Sequence, residues 1–380
     1  MKSLTLTNAQ IVTEHEVIKG TLHIQDGKIS AIDTGVSTLA AAQDLQGDYL
    51  LPGLIELHTD NLEKHYSPRP GVIWPSLPAV ISHDAQISAA GITTVFDALT
   101  LGDDNQKARR SENIRAMTDA VTHAQNKNLL RAEHLLHMRC EVSCEDVISL
   151  WEAFADDRLV KLVSVMDHAP GQRQFVSLDK YRLYYQKKYN LNDAQMQVFI
   201  EEQTEAAKKH SDRNRKHIVE SCKARDLPIA SHDDATEEHV EESAGYGMVV
   251  AEFPTTEVAA KASKAHGMGV MAGAPNMVRG QSHSGNISAR ELAALGLVDI
   301  LSSDYVPVSL LHSAFLLHEL NPDISLPRAI ATVSSTPAEI VGLQDRGKLA
   351  AGKRGDVIRV YRSDDLPVVR EVWREGLKVQ

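Results

Sequence analysis

Apolar and polar residues alternate near both ends of the chain, which is the pattern of half-buried β-strands. Residues 1–51 contain three such segments, and the turn Gln25-Asp26-Gly27 separates two of them. The same alternation returns in Gly355–Tyr361 and Val368–Trp373. We therefore expect one small β-sandwich domain made from both termini, with residues 1–51 and 344–380 as its two parts.

Residues 52–343, between those two parts, alternate short apolar runs with longer stretches of helical periodicity. Strands connected by helices run parallel, and eight of them can close into a (β/α)8 barrel. The predicted fold class is therefore α/β, a TIM-like barrel with a small composite β-sandwich domain. The expected strands are Leu50–His58, Thr93–Asp97, Leu135–Glu141, Leu162–His168, Ile229–His232, Val249–Phe253, Val270–Ala274 and Ile300–Asp304. The expected helices are Ser82–Ala90, Ser111–Asn126, Asp193–Ala224 and Ala289–Leu295, with Ser177–Cys222 as a helical insertion.

The charge balance excludes broad classes of partner. Lys and Arg number 40 against 51 Asp and Glu, so the net charge is −11. A wide basic surface for nucleic acid or for anionic lipid is therefore not expected. An anionic small molecule is still compatible with this balance where metal ions and local Lys or Arg supply positive charge.

Cysteine usage and hydropathy indicate the compartment. Cys140, Cys144 and Cys222 form no Cys-x-x-Cys pair, which argues against a thiolate zinc finger and a secreted disulfide scaffold. The N-terminal sequence MKSLTLTNAQIVTEHEV lacks the apolar run of a signal peptide. No window has the length and apolarity of a membrane span. We therefore expect a cytoplasmic protein without nucleic-acid or membrane partners.

Residues that can bind metal or move a proton gather at one end of the expected strands. In a β/α barrel the active site lies at the carboxyl ends of the strands and takes residues from several of them. We therefore expect an enzyme with a site at these strand ends. The residues are Glu56, His58, Asp60, Asp97, His137, Glu141, Asp167, His168, His232, Asp233, Asp234, Glu252 and Asp304.

Two strand ends suggest metal ligands by their spacing. His58 and Asp60 lie two residues apart, so on an extended strand they point the same way and can hold one divalent cation. The alternative is that His58 only ends a strand and Asp60 caps a helix. Glu141 offers a carboxylate that can bridge two metal ions, or else a surface ion pair with Arg139.

His168 and His232 each end an apolar run on consecutive strands, which favours metal binding over a structural role. Asp304 is placed to accept a proton from an activated water. Its alternative role is the N-cap of a helix at Val308–Leu320. Ser82-His-Asp-Ala is read as a helix start, with Ser82 as its N-cap.

Three landmarks resemble the amidohydrolase superfamily and follow its order. They are Leu51-Pro-Gly-Leu-Ile-Glu-Leu-His-Thr-Asp, Gly91-Ile-Thr-Thr-Val and Gly347-Lys-Leu-Ala-Ala-Gly-Lys-Arg-Gly-Asp-Val. The resemblance implies a metal-binding β/α barrel with a β-sandwich from both termini. It implies one or two divalent ions held by His58, Asp60, Glu141, His168 and His232, with zinc expected first and manganese, magnesium or iron as alternatives.

The chain departs from the common superfamily pattern in three places. Asp60 stands where the second histidine of His-x-His is usual, and a harder oxygen ligand loosens selectivity for zinc. No lysine ends the fourth strand, so Glu141 is the expected substitute bridge. Glu252 stands where the sixth strand usually has a histidine, which leaves His168 and His232 to complete the second metal's ligands.

Longer motifs narrow the resemblance to one branch, the diphosphatases of the carbon–phosphorus lyase pathway. The motifs include Glu56-Leu-His-Thr-Asp-Asn-Leu-Glu-Lys, Ser82-His-Asp-Ala, Arg131-Ala-Glu-His, Met166-Asp-His-Ala-Pro-Gly-Gln-Arg-Gln-Phe and Ser231-His-Asp-Asp-Ala-Thr. The branch implies hydrolysis of α-D-ribose 1-methylphosphonate 5-triphosphate to the 5-phosphate and pyrophosphate. Metal-activated water would attack the α-phosphorus, with Asp304 as the proton acceptor.

A triphosphate substrate needs cations beyond the metal ions. Lys64, Arg69, Arg173 and Arg279 lie in Gly- or Pro-flanked loops near strand ends and are the expected phosphate contacts. Asn276 and His283 are expected to bind the ribose or the phosphonate. We also expect a homo-oligomer.

Two other functions compete with this hypothesis. The first is a metal-dependent amide or cyclic-amide hydrolase, in which Arg279 would bind a substrate carboxylate. The second is a non-catalytic barrel, which predicts missing ligands although His58, Asp60, His232 and Asp304 are all present.

Overall fold

The computed structural model describes residues 3–102, 107–175, 177–282, 286–364 and 366–380. Its strands, within that part of the chain, form two eight-stranded sheets. The terminal strands are β1 Ser3–Val12, β2 Val17–Gln25, β3 Lys28–Thr34, β4 Gln43–Asp44, β5 Tyr49–Pro52, β14 Val357–Ser363, β15 Leu366–Arg374 and β16 Leu377–Lys378. The central strands are β6 Leu54–Thr59, β7 Ile92–Leu101, β8 Glu133–Glu141, β9 Val160–Met166, β10 Ile229–His232, β11 Val250–Glu252, β12 Gly269–Gly273 and β13 Ile300–Ser302.

The first sheet joins the two ends of the chain. Its order is β16-β15-β14-β5-β1-β2-β3, with β4 paired to β1. The junction is the antiparallel pair β5–β14, in which Leu51 lies opposite Ile358. Leu6, Leu22 and Trp373 are buried in its core. This sheet agrees with the expected composite β-sandwich, and the exact domain bounds at residues 51 and 343 stay a prediction.

The second sheet runs β13-β12-β11-β10-β9-β8-β7-β6, and its registered pairs are parallel. The two outer strands of this order also meet, because Thr59 of β6 bridges Asp304 after β13. The order therefore follows the chain and nearly closes on itself, as expected of a barrel.

One expected strand, Leu50–His58, is in fact two, and the prediction of a single strand was wrong. The chain changes sheets at Gly53, whose N–H donates to the carbonyl oxygen of Asp356 at 2.8 Å. A Cβ at residue 53 would come within 2.6 Å of Thr93 Cγ2. Only glycine lets the chain pass this close to β7, which is why a continuous apolar run is divided here.

The helices lie between the central strands and after the last of them. They are α1 Asn61–Tyr66, α2 Ser76–Ala89, α3 Lys107–Asn126, α4 Val147–Glu152, α5 Leu178–Tyr189, α6 Asp193–Lys223, α7 Glu237–Gly245, α8 Glu257–Ala265, α9 Ala274–Arg279, α10 Ala289–Ala294, α11 Ser309–Leu320, α12 Leu326–Ala331 and α13 Ser335–Ile340. No helix in the described ranges combines the length and the apolarity that crossing a bilayer requires.

Two of these helices test the sequence analysis directly. The helix expected at Asp193–Ala224 is confirmed as α6, and a capping box between Asn192 and Gln195 fixes its start. The expected start at Ser82 was wrong, because α2 begins at Ser76. Pro78 lies in the first turn of α2, where the missing N–H has no intrahelical acceptor to lose, so the proline does not delay the helix.

The chain divides into two compact units. The first contains Met1–Asp97, Met117–Leu135 and Ala272–Gln380, and the second contains Ala98–Ala116 and Leu136–Met271. Within the first unit, the N–H of Asp304 donates to the carbonyl oxygen of His58 at 3.1 Å. The N–H of Asp60 donates back to the carbonyl oxygen of Asp304 at 3.0 Å. The ends of β6 and β13 are therefore fixed to each other.

We predict that Gly53→Ala lowers the free energy of unfolding by about 1–3 kcal/mol, because the added methyl group overlaps Thr93. Thermal or urea unfolding measures the change. Gly245→Ala in α7 is the matched control, since a Cβ there meets nothing within 4 Å, and it should be neutral or stabilising. Thr93→Ala added to Gly53→Ala should recover part of the loss, and strict additivity of the two substitutions would contradict the steric explanation.

Candidate metal centre and active site

Two imidazoles and one carboxylate converge in the second unit. His168 follows β9 and His232 ends β10, and their ring centroids lie 5.4 Å apart. The carboxylate is Asp233, whose Oδ2 lies 3.7 Å from His168 Nε2 and 3.4 Å from His232 Nε2. These donor atoms share a space that a single cation can fill. Two nitrogens and an oxygen suit zinc and its first-row neighbours.

Each imidazole is backed by a carboxylate on its other nitrogen. His168 Nδ1 lies 2.6 Å from Glu141 Oε2, and His232 Nδ1 lies 2.7 Å from Glu252 Oε2. A carboxylate behind a histidine fixes the tautomer and turns the lone pair of Nε2 outward. The second unit therefore has the donor set of a metal site together with the groups that orient it.

The same contacts govern how His168 titrates. Burial disfavours the charged imidazole, but Glu141 and Asp233 outweigh it and raise the pKa of His168 to about 10. Burial likewise works against the Asp233 carboxylate, yet His232 and His168 keep the pKa of Asp233 below its usual value. A proton therefore competes with a cation for His168, and binding of a cation releases that proton.

The backbone is constrained where the strands end. Asp233 and Phe253 directly follow β10 and β11, and Asp304 lies two residues after β13; their φ angles are +56°, +56° and +51°. Aspartate tolerates this left-handed region, whereas it is uncommon for a bulky residue such as phenylalanine. The Phe253 ring lies edge-on to His232 at 5.9 Å. Such constraint gathers at functional sites because the surrounding structure imposes it.

A second group of donors lies in the first unit, at the ends of β6 and β13. Ligand atoms of His58, Asp60 and Asp304 all lie within 4.8 Å of one another. His58 Nε2 is 3.7 Å from Asp60 Oδ1. Asp60 makes no side-chain capping bond to α1, and α11 starts at Ser309 after Val308. The capping alternatives for both aspartates therefore fail, and their carboxylates lie beside His58 instead.

Glu56 fixes the backbone beneath that group. Its carboxylate accepts the N–H of His58 at 2.7 Å, the hydroxyl of Ser302 at 2.7 Å and the N–H of Ser303 at 2.5 Å. Its side chain is fully buried, and burial raises the pKa of Glu56. Glu56 therefore holds the two strand ends together and has no access to a substrate.

The expected substrate contacts lie in different environments. Lys64 on α1 is exposed, donates to the carbonyl oxygen of Tyr305 at 2.5 Å, and feels the charges of Asp304 and Asp60. Burial nevertheless lowers the pKa of Lys64. Arg69 and Arg279 are exposed, and Asn276 is half-buried on α9. His283 lies outside the described residues.

Arg173 lies in a different environment from the other cations. Its side chain is 3% exposed, and its guanidinium pairs with Asp234 and, at 2.9 Å, with Glu242. Its backbone has a φ of +39° in the loop after β9. Because two carboxylates occupy the guanidinium, this geometry favours support of the loop over contact with phosphate.

Sequence reasoning missed part of this site. Asp233 was grouped only with strand-end polar residues, although its place directly after His232 in Ser231-His-Asp-Asp was the available signal. Glu141 was expected as a bridge between metals, but it lies behind His168 and also accepts the Ser143 hydroxyl at 2.9 Å. Glu252 had no assigned role and lies behind His232.

Sequence reasoning also missed a buried cluster in the first unit. Asp97 lies between two imidazoles, with Oδ1 at 2.6 Å from His83 Nε2 and Oδ2 at 2.8 Å from His134 Nδ1. His134 Nε2 lies 3.4 Å from Asp84, which also pairs with Arg131 at 3.0 Å. His83 and Asp84 are therefore central residues of α2, and the expectation that they start a helix was wrong.

The pKa values of three residues in this cluster differ from their usual values. Burial works against the charged form of His134, but Asp97 and Asp84 outweigh it and raise the pKa of His134 to about 9. Burial alone would raise the pKa of Asp97, yet the charges of His134 and His83 hold that pKa well below its usual range. His83 differs, because burial dominates and lowers its pKa.

A barrel with imidazole and carboxylate groups at its strand ends is the architecture of a metal-dependent barrel enzyme. Comparison with known proteins gives the particular family: the chain belongs to the amidohydrolase family, which matches residues 85–376. It is 50% identical to the α-D-ribose 1-methylphosphonate 5-triphosphate diphosphatase of Escherichia coli (strain K12) over 377 residues. That match covers 99% of this chain and 100% of the relative.

Solved structures confirm the expected fold class. The 5-methylcytosine deaminase of Klebsiella pneumoniae is 15% identical, with a TM-score of 0.66 over 99% of this chain and 98% of that one. The N-acetylglucosamine-6-phosphate deacetylase of Pasteurella multocida is 13% identical, with a TM-score of 0.61 over 99% of both chains. At these identities the likeness concerns the fold alone.

We predict that Glu252→Gln weakens divalent-metal binding roughly 10- to 100-fold, because a neutral amide supports the His232 imidazole less well than a carboxylate. Titration against a competing chelator measures the affinity. Glu152→Gln is the matched control, since Glu152 also lies against a histidine, His217 at 2.8 Å, but at the surface. Equal affinities for Glu252→Gln and the unmodified protein would exclude the supporting role.

We predict that the metal-stripped protein loses stability as the pH rises from about 6.5 to about 9. The folded-state pKa of His134 is raised from 6.5 to about 9, so its contribution is complete below 6.5 and disappears through that interval. The loss from His134 is on the order of 3 kcal/mol. His168, whose pKa is raised to about 10, adds a loss of its own in the metal-stripped protein, and a His134 variant retains that part. Melting temperatures across this range measure it, and the non-titrating variant His134→Gln should show a flatter profile. A wild-type profile that is already flat would contradict the assignment.

Proposed function

We propose that the protein hydrolyses α-D-ribose 1-methylphosphonate 5-triphosphate to α-D-ribose 1-methylphosphonate 5-phosphate and pyrophosphate. The observation that carries this proposal is the 50% identity, over 99% of this chain and 100% of the relative, to the Escherichia coli diphosphatase that bears this substrate in its name. Two groups of metal-type donors at strand ends support it. Amidohydrolase membership supports hydrolysis as the type of reaction.

We assign two donor groups to divalent cations. His168, His232 and Asp233 form one group, and His58 and Asp60 form the other, with zinc as the first candidate and manganese, magnesium or iron as alternatives. A bound cation lowers the pKa of a water ligand and neutralises phosphate charge. Glu141 and Glu252 keep the two imidazoles of the first group oriented.

Asp304 is the proposed proton acceptor. Its backbone is fixed to β6 through the N–H and carbonyl bonds to His58 and Asp60, so its carboxylate has a defined position. It takes a proton from the water whose oxygen bonds to the α-phosphorus. The bond from that phosphorus to the bridging oxygen breaks, and the proton passes to the departing pyrophosphate.

Positive side chains hold the triphosphate. Lys64 carries its ammonium group close to Asp304 and Asp60, which suits contact with a phosphate at the reacting end. Arg69 and Arg279 are exposed and suit the outer phosphates. Asn276 and His283 stay the proposed contacts of the ribose or phosphonate, and the pairing of Arg173 makes it the least suited of the original four cations.

The proposed setting is a cytoplasmic homo-oligomer that acts on a small molecule. A net charge of −11 supports the absence of nucleic-acid and anionic-membrane partners. Size-exclusion chromatography with light scattering tests the oligomeric state.

The test of the reaction is hydrolysis of the triphosphate by metal-loaded protein in ¹⁸O-water, followed by phosphorus NMR. Label in the 5-phosphate and release of unlabelled pyrophosphate support attack at the α-phosphorus. Label in pyrophosphate keeps the activity but moves the attack to the β-phosphorus. No turnover with any of the candidate metals excludes the proposal, and hydrolysis of acyl amino acids or cyclic amides would then establish the amide-hydrolase alternative.

We predict that Asp304→Asn lowers turnover at least about 100-fold, the lower range for a general acid–base group, while bound metal stays within error of the unmodified protein. Asp299→Asn is the matched control, because Asp299 is equally an aspartate beside β13 but precedes the strand. Elemental analysis and steady-state kinetics separate the two effects. Loss of metal from Asp304→Asn would make Asp304 a ligand instead.

A further inference from the structure

The cluster of the buried residues His83, Asp84, Asp97 and His134, together with the partly exposed Arg131, is electrically balanced by its own residues. Asp84 and Asp97 supply two negative charges, and Arg131 and His134 supply two positive charges. His83 stays neutral, because burial lowers its pKa and its Nε2–H donates to Asp97. The ligand atoms of His83, Asp97 and His134 do lie within 4.8 Å of one another, as in a metal site. Both nitrogens of His134 face carboxylates, however, so the cluster needs no added cation.

His83 connects this cluster to Asn61, the residue that follows Asp60 of the first unit's donor group. His83 donates from Nε2, so its Nδ1 is the acceptor, and it accepts from Asn61 Nδ2 at 3.0 Å. Asn61 Nδ2 also donates to Gln86 Oε1 at 3.0 Å. Asn61 is 3% exposed, and the acceptors are both side chains of α2. The first residue of α1 is therefore anchored to the buried cluster.

That anchor lies next to a proposed metal ligand. Asn61 directly follows Asp60, which occupies the N-cap position of α1 without a side-chain capping bond. An N-cap aspartate ordinarily turns its carboxylate onto the exposed N–H groups of its own helix. Here the carboxylate lies near His58 instead, and the helix start is held through Asn61.

We propose that the cluster is a positioning device: through Asn61 it holds the start of α1 so that Asp60 faces the cation site and does not cap its helix. This inference rests on the proposed role of Asp60 as a metal ligand. It gives a role to the motifs Ser82-His-Asp-Ala and Arg131-Ala-Glu-His, whose histidines both bond to Asp97 in the cluster. Asp97 joins the two motifs, since it lies between their histidines.

The test compares His83→Leu with His83→Gln in the full-length protein, using Co²⁺ as the probe. His83→Leu removes the acceptor for Asn61, so we expect Co²⁺ binding at the His58–Asp60 site to weaken roughly 10- to 100-fold, as for other supporting residues of metal sites. The visible absorption bands of Co²⁺ should change, because an oxygen ligand moves. His83→Gln keeps one acceptor and one donor, and it should restore most of the affinity and the spectrum.

Kinetics give a second measurement. Asp60 is proposed to act through the cation, which activates water and shares the neutralisation of phosphate charge with Lys64 and the exposed arginines. We therefore expect His83→Leu, measured at saturating metal, to lower kcat at least about tenfold and to raise KM by a smaller factor. His210→Leu is the matched control, a buried histidine of the second unit whose Nδ1 has no hydrogen-bond partner among the described residues, and it should change neither the spectrum nor kcat.

Several results would overturn the inference. A folded His83→Leu protein with the normal Co²⁺ affinity and spectrum excludes it, as does a loss that His83→Gln fails to restore. If His83→Leu does not fold, Asn61→Ala cuts the same anchor without disturbing the cluster's charges, and normal Co²⁺ binding there excludes the inference. The metal readout needs no substrate, so it decides this point even if the triphosphate is not hydrolysed. Wild-type protein that binds no Co²⁺ at this site refutes the inference together with the site.

Discussion

The backbone bonds between the ends of β6 and β13 are the constraint on which the first unit's donor group depends. Asp304 exchanges hydrogen bonds with His58 and Asp60, and Glu56 ties the same two strands together from below. Asp304 adopts a positive φ as a result. The side chains of His58 and Asp60 therefore lie beside that of Asp304, which comes from a distant part of the sequence, and both the backbone bonds and the Glu56 carboxylate hold them there. Without the bonds between β6 and β13, His58 and Asp60 would still lie at the same strand end, but Asp304 would no longer lie beside them.

Both units use the same chemical device, a carboxylate behind an imidazole. Glu141 and Glu252 face His168 and His232, and Asp97 lies between the two imidazoles of the buried cluster. A buried charge is stable only when it is paired and hydrogen-bonded. In the donor group of the second unit, Nε2 of both histidines lies near Asp233. In the cluster, the second ring nitrogen of each histidine instead pairs with another side chain, that of Asn61 or Asp84. The difference separates groups suited to bind a cation from groups suited to hold a neighbour in place.

Much of the fold could be predicted from the sequence. The eight central strands match the expected runs to within a few residues, except where Gly53 divides Leu50–His58. Helix α6 begins at the expected residue, and its capping box joins Asn192 and Gln195, which are only three residues apart. The start of α2 could not be placed, because a proline in a first turn and a proline that ends a helix look alike in sequence. Of the polar residues expected at strand ends, His168, His232 and Asp304 do lie there, whereas the end expected at Asp97 was wrong, because β7 continues to Leu101.

The sequence by itself determined most of the strands and the long helix α6, because periodicity and capping act over a few neighbouring residues. Only the tertiary structure decided which carboxylate faces which imidazole. Glu141 precedes His168 by 27 residues, and Asp97 precedes His134 by 37. Nothing local distinguishes Glu141 as a bridge from Glu141 as a support, or His83 as a helix start from His83 as a buried anchor. Those roles depend on the direction of a ring nitrogen and on burial, which exist only once distant segments have packed together.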